Sequence, residues 1–176
     1  PLLCYDADRD GGIFMTGCEL YVKIDEPFQG CIAEEWLRRV VEKTLVLEEV
    51  NSPVELGLVI TDDETIRQLN RSYRGRDETT DVLSFALREN RQDAAETPFI
   101  SPPDGADHLG EVLLSYPQAA IQAKEHKHPL ERELALLVIH GVLHLLGHKD
   151  EDQASEARMR AEEKRVLGEL TDERLL

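Results

Sequence analysis

The chain has 176 residues, 41% of them hydrophobic and 32% charged, a balance typical of a folded domain and not of a disordered chain. Its net charge of −16 excludes general, charge-driven adhesion to nucleic acid or to anionic lipid as the basis of its function. No apolar stretch of the sequence approaches the roughly 20 residues that a membrane-spanning helix requires.

The cysteines and the start of the sequence indicate a reducing environment. Cys4, Cys18 and Cys31 form no CxxC pair, so we predict neither a disulfide framework nor a zinc finger. No signal-peptide pattern opens the sequence, and we therefore expect a cytoplasmic protein. Residues 1–16 are expected to be an N-terminal extension or mobile arm, because Met15 stands just before the first strand-like run. Residues 17–176 are expected to form a single domain.

The first predicted elements are a strand, a helix and a second strand. Residues 19–24 alternate in polarity between a glycine and a proline, which predicts a strand. Residues 33–50 carry apolar side chains at helical spacing, and residues 54–60 form the short apolar run of a buried strand.

A second helix is predicted directly after this strand. The segment Thr61-Asp62-Asp63-Glu64 matches a capping box, in which the Thr hydroxyl and the Glu carboxylate bond the free amides of a new helix. The helix is expected to direct Ile66, Leu69 and Tyr73 inward and to end near Gly75.

The second half of the chain predicts two more strands, a long mobile loop and three helices. The strands are predicted at residues 81–87 and 109–115, with the loop at residues 88–108 between them. The helices are predicted at residues 117–127, opened by Pro117, from Pro129 onward, which is apolar, and at residues 152–170, which is charged and closes the chain. This order of elements predicts an α/β fold, a small mixed four-stranded sheet packed by about five helices.

The stretch HGVLHLLGHKD, residues 140–150, contains the strongest chemical signal. Positions i and i+4 share one face of a helix, so His140 and His144 present their rings side by side, as in zincin metal sites. Gly147 can take the left-handed conformation that ends a helix and turns the chain back, which brings Asp150 towards the same point. We predict a metal site of His140, His144 and Asp150, with His148 as the alternative third ligand.

The residue after the first histidine argues against a protease. Gly141 stands where an HExxH metalloprotease carries the glutamate that acts as general base, so peptide hydrolysis by that mechanism is not expected. The sequence does not identify a general base, although Glu111 is one candidate. His126 and His128 lie at a predicted helix junction and are expected to be structural or exposed.

Four sequence blocks are similar, in the same order, to those of one bacterial family. Residues 140–147 (HGVLHLLG) resemble its HGxLHLxGYDH signature, and residues 69–85 (LNRSYRGRDETTDVLSF) resemble its LNxxYRGKDxPTDVLSF segment. Residues 109–115 (LGEVLLS) are similar to its LGDIxIS strand, and residues 122–134 (QAKEHKHPLEREL) to its run into the metal helix. This is the family of YbeY endoribonucleases, which act in ribosomal RNA maturation and ribosome quality control.

The resemblance implies a metzincin-like α/β fold, a zinc site and cleavage of single-stranded RNA. His140 and His144 match the first two metal ligands, and Arg74 matches the functionally important arginine of the YRG segment. The sequence departs from the family at His148-Lys149-Asp150, where the family has tyrosine, aspartate and histidine, so the third ligand falls on Asp150. Ala86 also replaces a proline usual after LSF.

These residues allow an expectation about the ion and the substrate. Aspartate is an accepted zinc ligand, so zinc remains the expected ion, but a carboxylate also makes the site more tolerant of harder ions such as Mn²⁺. Arg74 would contact RNA phosphate through its guanidinium fork, with Arg76 and Lys149 as weaker RNA-binding candidates.

Three functions remain to be weighed. The first is a metal-dependent endoribonuclease, to which the ribosome or a ribosomal protein delivers the RNA because the chain is so acidic. The second is a non-enzymatic ribosome-assembly factor with a structural metal, and the third, a metallopeptidase, lacks its glutamate.

Overall fold

The computed structural model describes residues 17–51, 53–87 and 107–176. Its strands are β1 (Cys18–Ile24), β2 (Val54–Thr61), β3 (Val82–Ala86) and β4 (Asp107–Ser115). They form one sheet in the order β1-β2-β4-β3, in which β1, β2 and β4 run parallel and β3 pairs antiparallel with β4. The prediction of a small mixed sheet of four strands is confirmed.

The described residues contain five α-helices: α1 (Glu34–Leu47), α2 (Asp63–Arg74), α3 (Tyr116–His126), α4 (Leu130–Leu145) and α5 (Gln153–Asp172). A short 3₁₀ turn at Glu26–Phe28 was not predicted from the sequence. The α/β class and the order of the helices and strands are as predicted. None of the helices in the described ranges combines the length and the apolar character needed to cross a membrane.

The two faces of the sheet are covered by different helices. The main core contains the alternate side chains of β2, Val54, Leu56, Leu58 and Ile60, packed with buried residues of α1, α4 and α5. On the opposite face, Ile66 of α2 covers a smaller cluster with Leu83 and Leu113. Successive residues of a strand point to opposite faces, so Val112 lies on the face of α4 and Leu113 on the face of α2.

The predicted capping box of α2 is wrong by one residue. Strand β2 continues through Thr61, which pairs with Ser115, and the Thr61 hydroxyl donates to Asp25 Oδ2 at 2.6 Å instead of capping the helix. The N-cap is Asp62, whose Oδ1 accepts the backbone N–H of Thr65 at 2.8 Å. The helix ends as predicted, at Gly75 in a left-handed conformation with φ 69°.

Two further predictions need correction. Tyr73 does not point inward: it is 71% exposed, and its ring meets Phe85 edge-on at 5.1 Å between centroids. The segment predicted as a loop is shorter at its end, because Asp107 and His108 already belong to β4. The rest of that loop, residues 88–106, and the predicted N-terminal arm, residues 1–16, lie outside the described residues.

Candidate metal centre

Helix α4 carries both candidate histidines and contacts β3, β4, α1, α3 and α5. Its side chains Ile139, Val142 and Leu143 are completely buried. His140 and His144 lie on its remaining face, where their side chains keep 25% and 27% of their exposure. The core therefore fixes the helix on most sides and leaves the two imidazoles partly open to solvent.

The Nδ1 atom of each ring lies next to a hydrogen-bond acceptor. His140 Nδ1 lies 2.7 Å from Glu163 Oε1 on α5, and His144 Nδ1 lies 3.0 Å from the backbone carbonyl oxygen of His148. A carboxylate and a carbonyl only accept hydrogen bonds, so in each neutral ring the proton belongs on Nδ1. Each Nε2 atom then presents a lone pair, which is the form of histidine that binds a metal.

The two Nε2 atoms face each other at 3.0 Å. Two lone pairs at this distance repel unless a cation lies between them. Asp150 Oδ2 approaches His144 Nε2 at 3.7 Å, and the three ligand atoms of His140, His144 and Asp150 all lie within 4.8 Å of one another. Two imidazoles and one carboxylate form a donor set that suits zinc, so the residues present fit a bound metal ion.

The turn after α4 explains how Asp150 reaches this point. Gly147 has φ 96°, a left-handed conformation that other residues adopt only with strain. Its N–H donates to the carbonyl of His144 at 3.0 Å, and the next N–H, that of His148, donates to the carbonyl of Leu143 at 3.0 Å. These two bonds define a Schellman motif, which ends the helix and reverses the chain.

His148, the alternative third ligand in the sequence, has its ring directed elsewhere. His148 Nε2 contacts Glu48 Oε2 at 2.8 Å, just beyond the end of α1, and Arg165 donates to the other oxygen of the same carboxylate at 2.8 Å. The residue contributes to the histidine pair through its backbone carbonyl and not through its imidazole.

Gly141 is required by packing against the sheet. A Cβ atom at this position would lie 2.4 Å from Val112 Cγ1 and 3.3 Å from Ser84 Oγ, both on the sheet face beneath α4. A glutamate here would therefore point into the sheet and not into the cleft. The structure gives a steric reason for the absence of the protease general base.

The histidines border a cleft of about 330 Å³, which Arg74, Ser84 and Asp150 also line. Arg74, at the end of α2, gives this lining a positively charged side chain. The cleft therefore combines three candidate metal ligands with one guanidinium. Arg76 and Lys149 do not line this cleft; they lie exposed beside Glu78 and Glu151, at 4.0 Å and 3.8 Å.

Glu111 is on the wrong side of the sheet to act as a general base. It pairs with Phe85 in the antiparallel ladder, on the face opposite to Val112 and Gly141. It borders a different depression, together with Tyr21 and Leu87. The suggestion that Glu111 assists catalysis is therefore wrong.

Electrostatics favours the neutral form of His144. Burial lowers the pKa of His144 below its ordinary value, and the neighbouring His140 and Arg74 lower it further, whereas Asp150 raises it. A lowered pKa keeps the imidazole unprotonated at neutral pH, as a metal ligand must be.

Sequence reasoning missed Glu163. It lies within the closing helix α5, where its side chain is only 14% exposed although most charged residues of that helix face solvent. Nothing in its local sequence distinguishes it from Glu162, so its role follows only from the packing of α5 on α4.

The fold and the cluster at the end of α4 define a class: α/β proteins with a candidate histidine–carboxylate metal site beside a buried helix. A family model described as Endoribonuclease YbeY matches residues 25–171. The chain belongs to this family, and the resemblance seen in the four sequence blocks is confirmed.

Individual relatives agree with the family assignment. Endoribonuclease YbeY of Dehalococcoides mccartyi strain BAV1 is 44% identical over 145 residues, which cover 81% of this chain and 91% of the relative. Endoribonuclease YbeY of Roseiflexus sp. is 44% identical over 147 residues, covering 83% and 89%. The solution structure of TM1509 from Thermotoga maritima superimposes with a TM-score of 0.52 at 23% identity, over 89% of this chain and 94% of that one, and so supports the fold.

Proposed function

We propose that the protein is a metal-dependent endoribonuclease that cleaves single-stranded RNA in ribosomal RNA maturation and ribosome quality control. The observation that carries the proposal is the pair of Nε2 atoms on His140 and His144, 3.0 Å apart beside Asp150, in a cleft lined by Arg74. The names of the relatives, Endoribonuclease YbeY, support the same activity. Residues 17–176 would form the single catalytic domain, in the cytoplasm.

Within this proposal each residue has a distinct task. His140, His144 and Asp150 hold the ion, with zinc as our first choice. When bound, the ion supplies Lewis acidity that offsets charge developing on a phosphodiester. Arg74 binds a phosphate oxygen through its guanidinium fork, which orients the scissile group, while Arg76 and Lys149 contact RNA outside the cleft.

The two alternative functions have less support. A structural metal site usually has four protein ligands, whereas this cluster, as found in the described residues, supplies three. A metallopeptidase needs a general base beside His140, and the contact between Gly141 and Val112 leaves no room for one.

The experiment combines metal content and RNA cleavage in four proteins: wild type, His144→Ala, Asp150→Ala and Glu151→Ala. Glu151 is the matched control, an acidic neighbour whose side chain is 76% exposed. We expect the first two variants to lose metal and cleavage together and the control to keep both. Full metal and full activity in Asp150→Ala would refute the proposed third ligand, and cleavage of peptides but not RNA would refute the nuclease.

We also propose that the ribosome or a ribosomal protein delivers the substrate. With a net charge of −16, the chain repels a long RNA at a distance, and its cleft offers one guanidinium. We expect slow cleavage of free RNA at low salt, which quickens as added salt screens the long-range repulsion. Rapid cleavage by the purified protein, equal at all salt concentrations, would show that delivery is unnecessary.

A further inference from the structure

A second group of metal-binding side chains lies at the junction of α3 and α4. It consists of His126 at the end of α3, His128 in the connection, and Glu133 in the first turns of α4. The ligand atoms of these three residues lie within 4.8 Å of one another. None of them belongs to the cluster formed by His140, His144 and Asp150.

The local backbone brings the two histidines to one side. Lys127 between them has a left-handed conformation with φ 57°, and the N–H of His128 donates to the carbonyl of Ala123 at 3.1 Å. This helix-ending turn places the two imidazole centroids 5.5 Å apart. Both rings then face the same carboxylate.

Glu133 is a buried acid whose charge needs a partner. Its side chain is 2% exposed, and one oxygen, Oε2, lies 3.3 Å from His126 Nδ1 and 2.9 Å from His128 Nε2. A carboxylate removed from water in this way is costly unless a positive charge or strong hydrogen bonds compensate it. The two histidines therefore account for its position in the fold.

The second nitrogen of His128 shows that neutral rings alone do not satisfy this arrangement. His128 Nδ1 lies 3.1 Å from the carbonyl oxygen of Pro129, which can only accept a hydrogen bond. A neutral ring carries one proton, so it can donate either to this carbonyl or to Glu133 Oε2, 2.9 Å from Nε2, and its other nitrogen then directs a lone pair at an oxygen. With the proton on Nδ1, the atoms that repel each other are Nε2 and the carboxylate oxygen. A cation between the two atoms removes that repulsion.

We propose that His126, His128 and Glu133 form a second binding site for a borderline divalent cation, of which Zn²⁺ is the type. Two imidazoles and one carboxylate are ligands that such ions accept. Ligand atoms that share a tetrahedral zinc ion at its usual bond lengths stand about 3.3 Å apart, close to the separations found here. The His126 side chain is 56% exposed, so water or a substrate oxygen can reach the remaining positions.

The second site opens towards the first. Glu133 and His140 are seven residues apart on the same face of α4, which corresponds to about 10 Å along the helix axis. Both line one cavity of about 310 Å³, together with Asp150. A cation held here adds positive charge beside the cleft of an acidic protein, where a phosphate chain would have to approach.

The test is a calorimetric titration of chelator-stripped protein with zinc sulfate. We expect His126→Ala/His128→Ala to bind one equivalent fewer than wild type, and His140→Ala/His144→Ala also to bind one fewer. The matched control is His108→Ala, which removes a histidine paired with a carboxylate, Glu55, at 2.8 Å and should leave the stoichiometry unchanged. The two double variants report the two sites separately, so one proposal can fail without the other.

The same number of zinc equivalents in His126→Ala/His128→Ala and in wild type would overturn the second site. If circular dichroism shows that this double variant is unfolded, His126→Ala replaces it, because that side chain is exposed and its loss leaves the core intact. It should weaken one zinc-binding event at least tenfold. Unchanged affinities in this variant would equally overturn the proposal.

Discussion

Glu163 holds the ring of His140 from 23 residues further along the chain, at 2.7 Å between Oε1 and Nδ1. The contact gives His140 the tautomer that a metal ligand needs, and it joins α5 to α4 at the candidate metal centre. A carboxylate in this position also raises the basicity of the imidazole, which makes its Nε2 atom a stronger metal ligand.

The first prediction concerns this carboxylate. Glu163→Gln keeps the size of the side chain and removes its charge, so we expect metal affinity to fall about 10- to 100-fold while the fold is retained. Glu162→Gln is the control, since Glu162 pairs with Arg165 at 2.6 Å and not with a ligand. Competition with a chelator measures both. Equal affinities in the two variants would mean that Glu163 does not orient His140.

The second prediction concerns the packing of α4 on the sheet. Gly141→Ala places a methyl group 2.4 Å from Val112 Cγ1 and should lower the free energy of unfolding by about 1–3 kcal/mol. Gly168→Ala, in α5, meets no neighbour within 4 Å and should raise it by about 0.5–1 kcal/mol, because alanine favours a helix. Urea unfolding distinguishes the two, and a neutral Gly141→Ala would contradict the steric argument.

The third prediction concerns Arg74. Arg74→Ala removes the guanidinium from the cleft, and the loss of one charge-assisted contact with phosphate should reduce RNA cleavage about 10- to 100-fold. Metal content should not change, because Arg74 is not a proposed ligand. The control is Arg71→Ala, an exposed arginine on the same helix that does not line the cleft. Wild-type cleavage by Arg74→Ala would exclude the phosphate contact.

The fourth prediction concerns pH. Burial lowers the pKa of His144 in the folded protein from its ordinary value of 6.5, so below that value the unfolded chain binds a proton that the folded protein resists. The stability contributed by neutral His144 is complete above about pH 6.5 and is lost as the pH falls through the lowered pKa.

Metal-free wild type and His144→Ala, unfolded in urea from pH 8 to pH 5, provide the measurement. Wild type should lose more stability than the variant towards pH 5. Parallel curves would show that His144 titrates normally.

Periodicity and turn chemistry predicted the main elements from the sequence because those signals are local. The short apolar run of β2, the glycine that ends α2 and the HxxxHxxG spacing on α4 are each visible within a few neighbouring residues. The wrong predictions concern residues whose position depends on a partner that is distant in the sequence. Thr61 belongs to β2, which pairs with β4, and therefore does not cap α2. Tyr73 packs on Phe85 at the surface instead of entering the core.

The candidate site divides in the same way. Spacing alone brought His140, His144 and Asp150 to one point. It could not show that Gly141 faces Val112, that Glu111 lies on the other side of the sheet, or that His148 turns to Glu48. These relations depend on how three layers pack, and no window of the sequence contains them.

The position of α5 has a consequence for biosynthesis. During translation His140 and His144 leave the ribosome before Glu163, which holds the ring of His140. They also leave before Arg165, which binds Glu48 and the carbonyl of Leu47. Until Glu163 emerges and docks, His140 lacks the carboxylate that orients its ring. We therefore expect the nascent chain to be inert towards RNA, so that a nuclease made beside ribosomal RNA acquires its activity only after its closing helix has folded.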